Sequence, residues 1–304
     1  MSRGFLLVLL SALCFSTKAI FAKLGYASGA DALQMLSLRM GFALPVFLLL
    51  LWREERRAAA PITFRQFGAL ATLGVLGYYL SSLLDFLGLE IISASLERLV
   101  LFLYPTLAVA LSAVIDRRWP RPVAWLSLTL CYGGMAVSLG EVHASSGQWL
   151  GILLVFGSTL TYAVYLTGVE RWVPTLAPSR ITAWAMTVSC LAILLHAGLG
   201  GTIGKSMPHA AIGWGAVMAA VSTVAPSLLL SFGIRRIGAG AAGIASSLGP
   251  VSTILLANLF LHEHLTPRQG IGGALVIAGV AVLGLRTRED SVRIPPDAKN
   301  TEPS

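Results

Sequence analysis

Ser93-Ala-Ser-Leu-Glu-Arg-Leu-Val-Leu-Phe-Leu-Tyr-Pro-Thr-Leu-Ala-Val-Ala-Leu-Ser-Ala-Val-Ile115 decides the reading of this chain, together with an echo over Gly238–Phe260 in which Pro250 stands 145 positions after Pro105. Each stretch is apolar and long enough to cross a bilayer, which takes about 20 residues of helix. Each carries a proline in mid-span. A proline inside a helix frees backbone carbonyls that hydrocarbon cannot satisfy, so such breaks belong where protein or a water-filled cavity surrounds them. A single membrane proline usually only bends its helix. A matched pair in two halves of a chain points to a pathway between the halves, with Pro105 and Pro250 as its hinges.

The rest of the composition agrees. Of 304 residues, 56% are hydrophobic and 12% charged, against about 25% charged in an ordinary soluble domain. One soluble core could not hide that much apolar surface. The net charge of +8 sits in short loops between apolar runs, so it reads as membrane topology rather than nucleic-acid binding. Cys14, Cys131 and Cys190 all lie within apolar runs and lack metal-ligand spacing, so no disulfide and no metal site is expected. The apolar N-terminus carries Lys18 and Lys23 and is followed by many more spans. It is therefore read as a retained first helix rather than a signal peptide.

Ten segments qualify as spans: 4–24, 32–52, 66–88, 93–115, 122–140, 148–169, 180–200, 211–233, 238–261 and 268–286. They fall into two repeats. At an offset of 145, Ser82, Leu83, Leu84 and Gly88 meet Ser227, Leu228, Leu229 and Gly233. Pro122 meets Pro267, and Gly134-Met-Ala-Val137 meets Gly279-Val-Ala-Val282. Near the start, Gly4-Phe-Leu-Leu-Val8 resembles Gly151-Ile-Leu-Leu-Val155. The expected organisation is a first repeat over 1–143, a second over 144–288 and a disordered cytoplasmic tail over 289–304. Five spans per repeat is an odd number, so the second repeat enters the membrane from the opposite side. With the N-terminus inside, sixteen Lys and Arg fall on the inner side and three on the outer. That asymmetry expects both termini in the cytoplasm. The fold class is all-α integral membrane, with ten transmembrane helices in two inverted five-helix repeats.

This pattern resembles the drug/metabolite transporter superfamily, EamA type. The residues that carry the resemblance are Ser247-Leu-Gly-Pro-Val251, Leu261-His-Glu-His-Leu-Thr-Pro-Arg268 and Gly279-Val-Ala-Val-Leu-Gly284. They resemble the family's ending of proline-bearing helix, acidic turn and glycine-rich helix. The first half departs from it, with Arg118 where the second has Glu263. The resemblance implies a secondary transporter. On size and topology it leans towards amino-acid exporters of the YddG type.

Two sets of residues could carry function. Lys18, Arg39, Asp85, Glu97 and Arg98 are ionisable groups inside spans, and such groups are costly and usually functional. All fall in the first repeat and in the outer half of the membrane. They are expected to form a charge network, with Asp85 or Glu97 paired to Arg98; structural pairing and snorkelling to the interface are the plainer readings. The second set is Tyr78, Tyr79, Ser82, Tyr104, Ser158, Tyr162, Tyr165, Ser246 and Ser247. The tyrosines lie too deep for headgroup anchoring, and buried phenols need hydrogen-bond partners. A substrate cavity would supply them, although helix packing would too. Ser158, Tyr162 and Tyr165 share one helix face.

Gly238-Ala-Gly-Ala-Ala-Gly243 matches a dinucleotide fingerprint but lacks the strand–helix context. Small-residue helix packing explains it better. His262-Glu-His264 lacks metal-protease spacing and reads as an outer turn, and His196 as a residue of the membrane interface. The chain is thus expected to export amino acids or similar small metabolites across the cytoplasmic (inner) membrane by alternating access. It is expected to work as a monomer, with a small-molecule substrate, lipid contacts, no nucleic acid and no cofactor. The rivals are a drug or other-metabolite permease of the same fold, a channel, or an intramembrane enzyme, for which no nucleophile–base cluster is evident.

Overall fold

The structure is a computed structural model that describes residues 3–117, 122–139, 147–202, 206–230, 232–233, 236–237, 249–263 and 266–293, with side chains to 282 in the last stretch. Regular structure among these residues is helical throughout. Eight helices are long and apolar enough to cross a membrane: α1 (Arg3–Ala27), α2 (Ala32–Arg57), α3 (Phe64–Ile91), α4 (Ala94–Ile115), α5 (Pro122–Leu139), α6 (Gln148–Trp172), α7 (Pro178–Leu199) and α8 (His209–Leu230). Two shorter apolar helices follow, α9 (Gly249–Leu261) and α10 (Pro267–Val282), and the helical backbone of α10 runs on to Arg293.

Local sequence explains where the helices start. Asp31 and Gln34 form a capping box at α2, with Asp31 Oδ1 accepting from the Gln34 N–H at 2.7 Å and Gln34 Oε1 from the Asp31 N–H at 3.0 Å. Thr63 with Gln66 does the same at α3, and Thr266 with Gln269 at α10. Each box satisfies N–H groups that the first helical turn leaves bare. Pro122, Pro178 and Pro267 open α5, α7 and α10, where the missing N–H costs nothing.

The helix pairs establish the inversion. α3 packs against α6, with Leu73 near Gly168, Gly77 near Tyr165, Ser81 bonded to Ser158 and Gly88 against Gly151. Position numbers rise on one helix as they fall on the other, so the pair is antiparallel. α1 repeats this against α8, through Gly4 and Gly233, Ser11 and Pro226, and Thr17 and Ser222. The first and third spans of an up-and-down repeat point the same way. Hence α6 runs opposite to α1, and the second five-helix repeat is inverted relative to the first.

Small residues permit these approaches. A Cβ on Gly88 would stand 2.7 Å from the Gly151 carbonyl oxygen, and one on Gly233 would stand 3.3 Å from that of Gly4. α5 and α10 cross antiparallel in the same manner, with Cys131 against Val276 and Ser127 Oγ donating to the Gly279 carbonyl at 2.7 Å. Where lipid tails are as apolar as leucine, close backbone contact and such hydrogen bonds hold helices together. Outward faces agree with that solvent: Leu153, Leu195, Leu255 and Leu259 are 64–66% exposed.

Four spans are irregular inside the bundle. α4 breaks into Ala94–Leu101 and Tyr104–Ile115 across Phe102 and Leu103. Pro105 starts the second piece, and Thr106 Oγ1 takes up the Leu103 carbonyl at 2.7 Å. α3 and α8 each contain a π-helical stretch, Val75–Leu80 and Ala220–Val224. Their starts are 145 positions apart, the repeat offset. An extra residue in a helical turn re-aims the side chains around it, and such bulges gather at functional sites. α1 also breaks, between Ser16 and Lys18 at Thr17. Thr253 Oγ1 donates to the Ser16 carbonyl at 3.4 Å there, and Thr17 Oγ1 donates to that of Cys14 at 2.6 Å. A Ser-Thr pair bonding back into the helix bends it. No proline in the sequence signals the bends of α1 and α3, whereas Pro226 follows the π stretch of α8 by two residues.

Candidate functional site

The irregular turns surround a cavity of about 270 Å³. Both repeats wall it. Ser11 and Lys18 come from α1, Arg39 from α2, Asp85 from α3, and Thr223 from the α8 bulge. Its size is just below the usual range of small-molecule sites, about 300–1,000 Å³.

Among the sequence candidates, Tyr78, Ser82, Tyr104, Ser158 and Tyr162 line this cavity. Tyr165 does not. It lies behind the wall, 5% exposed, with its ring 5.0 Å from that of Tyr78 and 5.7 Å from that of Tyr162. The Tyr104 and Tyr162 rings meet edge to face at 5.2 Å. Tyr79 turns away from the cavity: its hydroxyl meets His196 Nδ1 at 3.1 Å. Adjacent helical residues point about 100° apart, and here Tyr78 takes the cavity face while Tyr79 takes the His196 face. That corrects the expectation for Tyr79, and it gives His196 a phenol partner. Ser246, Ser247 and the Gly238–Gly243 motif lie outside the described residues. Pro250 lines the cavity near the start of α9; Pro105 stands one residue beyond the cavity-lining Tyr104.

The ionisable residues do meet, but in a different pairing from the expected one. Lys18 Nζ donates to Asp85 Oδ2 and, at 2.9 Å, to Glu97 Oε1. Arg98 Nε is 4.0 Å from Glu97 Oε2, at the edge of an ion pair. Glu97 and Arg98 are consecutive on α4, and consecutive helical residues do not face each other. The flexible Lys18 has three donors and spans both acids. Arg98 instead lies 5.2 Å over the Phe15 ring and reaches the Phe15 carbonyl at 3.5 Å. Arg39 forms no ion pair with a described acid; its Nε donates to Thr223 Oγ1 at 2.8 Å. All five residues are at most 5% exposed. None of them therefore snorkels to a lipid headgroup.

Sequence reasoning missed Ser11, Phe15, Ser222 and Thr223 as cavity-lining residues. A signal for them existed: the N-terminal repeat offset of 147 places Ser11 on Ser158 and Phe15 on Tyr162, and the later offset of 145 places Tyr78 on Thr223. Glu263 was also missed. Its carboxylate accepts from the Ala94 N–H at 2.8 Å, the Ser95 N–H at 3.0 Å and Ser95 Oγ at 2.9 Å. A loop of the second repeat thus caps the α4 segment that carries Glu97 and Arg98. Among the described residues, no three His, Cys, Asp or Glu side chains cluster as a metal site requires.

Ten apolar helices in two inverted repeats around a polar, charged cavity define a multi-pass membrane protein built like a carrier. The chain belongs to the EamA-like transporter family, whose model matches residues 2–140 and 149–285, once for each half. It is 33% identical to an uncharacterized transporter, YcbK, of Bacillus subtilis, over 93% of this chain and 94% of that one. A probable terminal-alkyne amino-acid exporter of Streptantibioticus cattleyicolor is 29% identical over 46% of each chain. A solved crystal structure superposes with a TM-score of 0.60 at 19% identity, covering 95% of this chain and 99% of the other. That likeness speaks for the fold alone.

Proposed function

We propose that this transporter exports amino acids or similarly small polar metabolites by alternating access, with the cavity as its substrate site. The observation that carries this is the cavity's mixed lining. Lys18, Arg39 and Arg98 supply positive charge, Asp85 negative charge, and Tyr78, Tyr104 and Tyr162 flat amphipathic surface. A molecule with charged ends and a small apolar body matches that lining, and a volume of about 270 Å³ disfavours large drugs and lipids. Similarity to one probable amino-acid exporter points the same way.

The repeats, taken as 1–143 and 144–288, would rock about α4 at Pro105 and α9 at Pro250. In this reading the cap that Glu263 places on the start of α4 would be released and remade as access alternates. The sixteen-to-three distribution of Lys and Arg supports cytoplasmic termini in an inner membrane. A cavity complete within one chain supports a working monomer. No reaction is assigned: the buried acids engage Lys18.

Counterflow tests the proposal. Purified protein in liposomes is loaded with unlabelled aromatic or aliphatic amino acids and offered a labelled trace outside. Saturable accumulation that depends on the internal load is the expected result. Equilibration without overshoot would mean a channel, and absence of flux with every amino acid would reject them as substrates.

A further inference from the structure

The cations at the cavity are not alike. Lys18 contacts Asp85 and Glu97, and Arg98 lies within 4.0 Å of Glu97. Both acids are thereby engaged. Arg39 is 5% exposed and forms no ion pair with any described residue. Its Nε is held by Thr223 Oγ1 and its guanidinium lies 5.5 Å from the Phe86 ring centre. Its two Nη groups make no hydrogen bond to any described residue. Among the described residues of this cluster three cations face two carboxylates, an excess of one positive charge. A buried guanidinium without a counter-ion is costly, and the cost falls when an anion arrives with two oxygens to fit the planar fork.

A second atom is incomplete in the complementary sense. Asp85 is 3% exposed and lines the cavity. Its Oδ2 receives Lys18, while its buried Oδ1 has no hydrogen-bond partner. Asp85 precedes Phe86, the residue whose ring backs Arg39. Asp85 and Arg39 line the same cavity, so a ligand held there can meet the acceptor on α3 and the donor fork on α2. In an amino acid the carboxylate and the ammonium are held on one carbon, so a short separation is what such a ligand needs.

We propose that Arg39 anchors the carboxylate of the transported molecule and that Asp85 Oδ1 receives its ammonium group. This rests on the amino-acid reading and sharpens it to two-point recognition. Thr223, in the α8 bulge of the second repeat, orients the Arg39 fork. The Arg39–Thr223 bond already joins α2 of one repeat to α8 of the other, so a ligand held at Arg39 would bear on both.

The test is an analogue series in the liposome exchange assay, run on wild type, Arg39→Lys and Arg39→Gln. The internal load is an amino acid, its carboxamide, its decarboxylated amine or its deaminated monocarboxylate. Wild type should exchange the amino acid best and show the carboxamide and the amine at least about tenfold weaker. Arg39→Gln should raise half-saturation for the amino acid roughly tenfold to a hundredfold, the scale of a lost charged hydrogen bond, with Arg39→Lys between. Exchange of amine or carboxamide as good as the amino acid in wild type overturns the anchor without any variant having to fold. So does an unchanged half-saturation in Arg39→Gln. If only the deaminated monocarboxylate exchanges, and Arg39→Gln abolishes it, the anchor at Arg39 stands while the ammonium site and the amino-acid reading fall. If no carboxylate exchanges through protein that elutes as a single sharp species, both proposals fall.

Discussion

The two sides of the cavity share a backbone plan and differ in chemistry. α1 packs on α8 and α6 packs on α3 in the same antiparallel way, and α3 and α8 carry π stretches at equivalent positions. Yet equivalent positions hold different side chains: Lys18 answers to Tyr165, Phe15 to Tyr162, Asp85 to Leu230, and Tyr78 to Thr223. The first repeat supplies the charges and most of the aromatic rings, and the second supplies Tyr162 and hydroxyls at Ser158, Ser222, Thr223 and Ser227. Symmetry builds the crossing geometry that inverted halves need. A substrate with two unlike ends cannot use a symmetric lining, so the side chains depart from the repeat where the cavity begins.

The largest effect expected from this contrast is at Lys18. Lys18→Leu leaves two buried carboxylates facing each other and should cost about 3–5 kcal/mol, as when one partner of a buried pair is removed. Thermal unfolding of the purified protein in detergent would record it, and adding Asp85→Asn with Glu97→Gln should restore much of the loss. A melting curve unmoved by Lys18→Leu would mean that Arg98 already neutralises both acids. At the equivalent position, Tyr165→Phe should move the melt far less.

Next come the glycine crossings, where the two sides should behave alike. Gly88→Val and Gly233→Val each force a side chain against the partner helix and should each cost about 1–3 kcal/mol. Similar losses in the same unfolding assay would sharpen the equivalence; a large loss in one alone would break it. The cap across the repeats is smaller. Glu263→Ala removes an anionic cap worth about 1–2 kcal/mol, and hydrogen exchange of peptides covering Ala94–Glu97 should speed up. Unaltered exchange there would show that the cap does not hold α4. The smallest effect concerns the hydroxyls. Tyr162→Phe should raise half-saturation for exchange about two- to tenfold, the range of one hydrogen bond, whereas Tyr79→Phe, which loses only its His196 contact, should leave it unchanged. Equal effects would place Tyr79 on the pathway after all.

Much of the architecture was legible beforehand. Span length, the repeat register and the odd number of spans per repeat lead to ten helices in inverted halves, because a bilayer demands helices of one length and satisfied backbones. The capping boxes at Asp31, Thr63 and Thr266 mark helix starts in plain sequence. The site was legible only as a pool of candidates. Arg98 was expected to hold an acid because charges close in sequence suggest pairs, but Glu97 and Arg98 diverge around the helix and Lys18, far away in the chain, takes both acids. Tyr78 and Tyr79 likewise look interchangeable until a helix face is chosen.

By itself, then, the sequence determined the solvent, the helices, the repeat and the transporter class, since these depend on hydrophobic period, length and register, which are properties of one strand of text. Only the tertiary structure decided which charges are matched. Ion pairing in a buried site depends on distances between helices and on the direction each side chain takes from its own turn; of the bends at Thr17 and in the two π stretches that set those directions, only the one ahead of Pro226 has a proline beside it. That is why Lys18 is shared by two acids, Asp85 Oδ1 lacks a hydrogen-bond partner and the Arg39 Nη groups bond to no described residue.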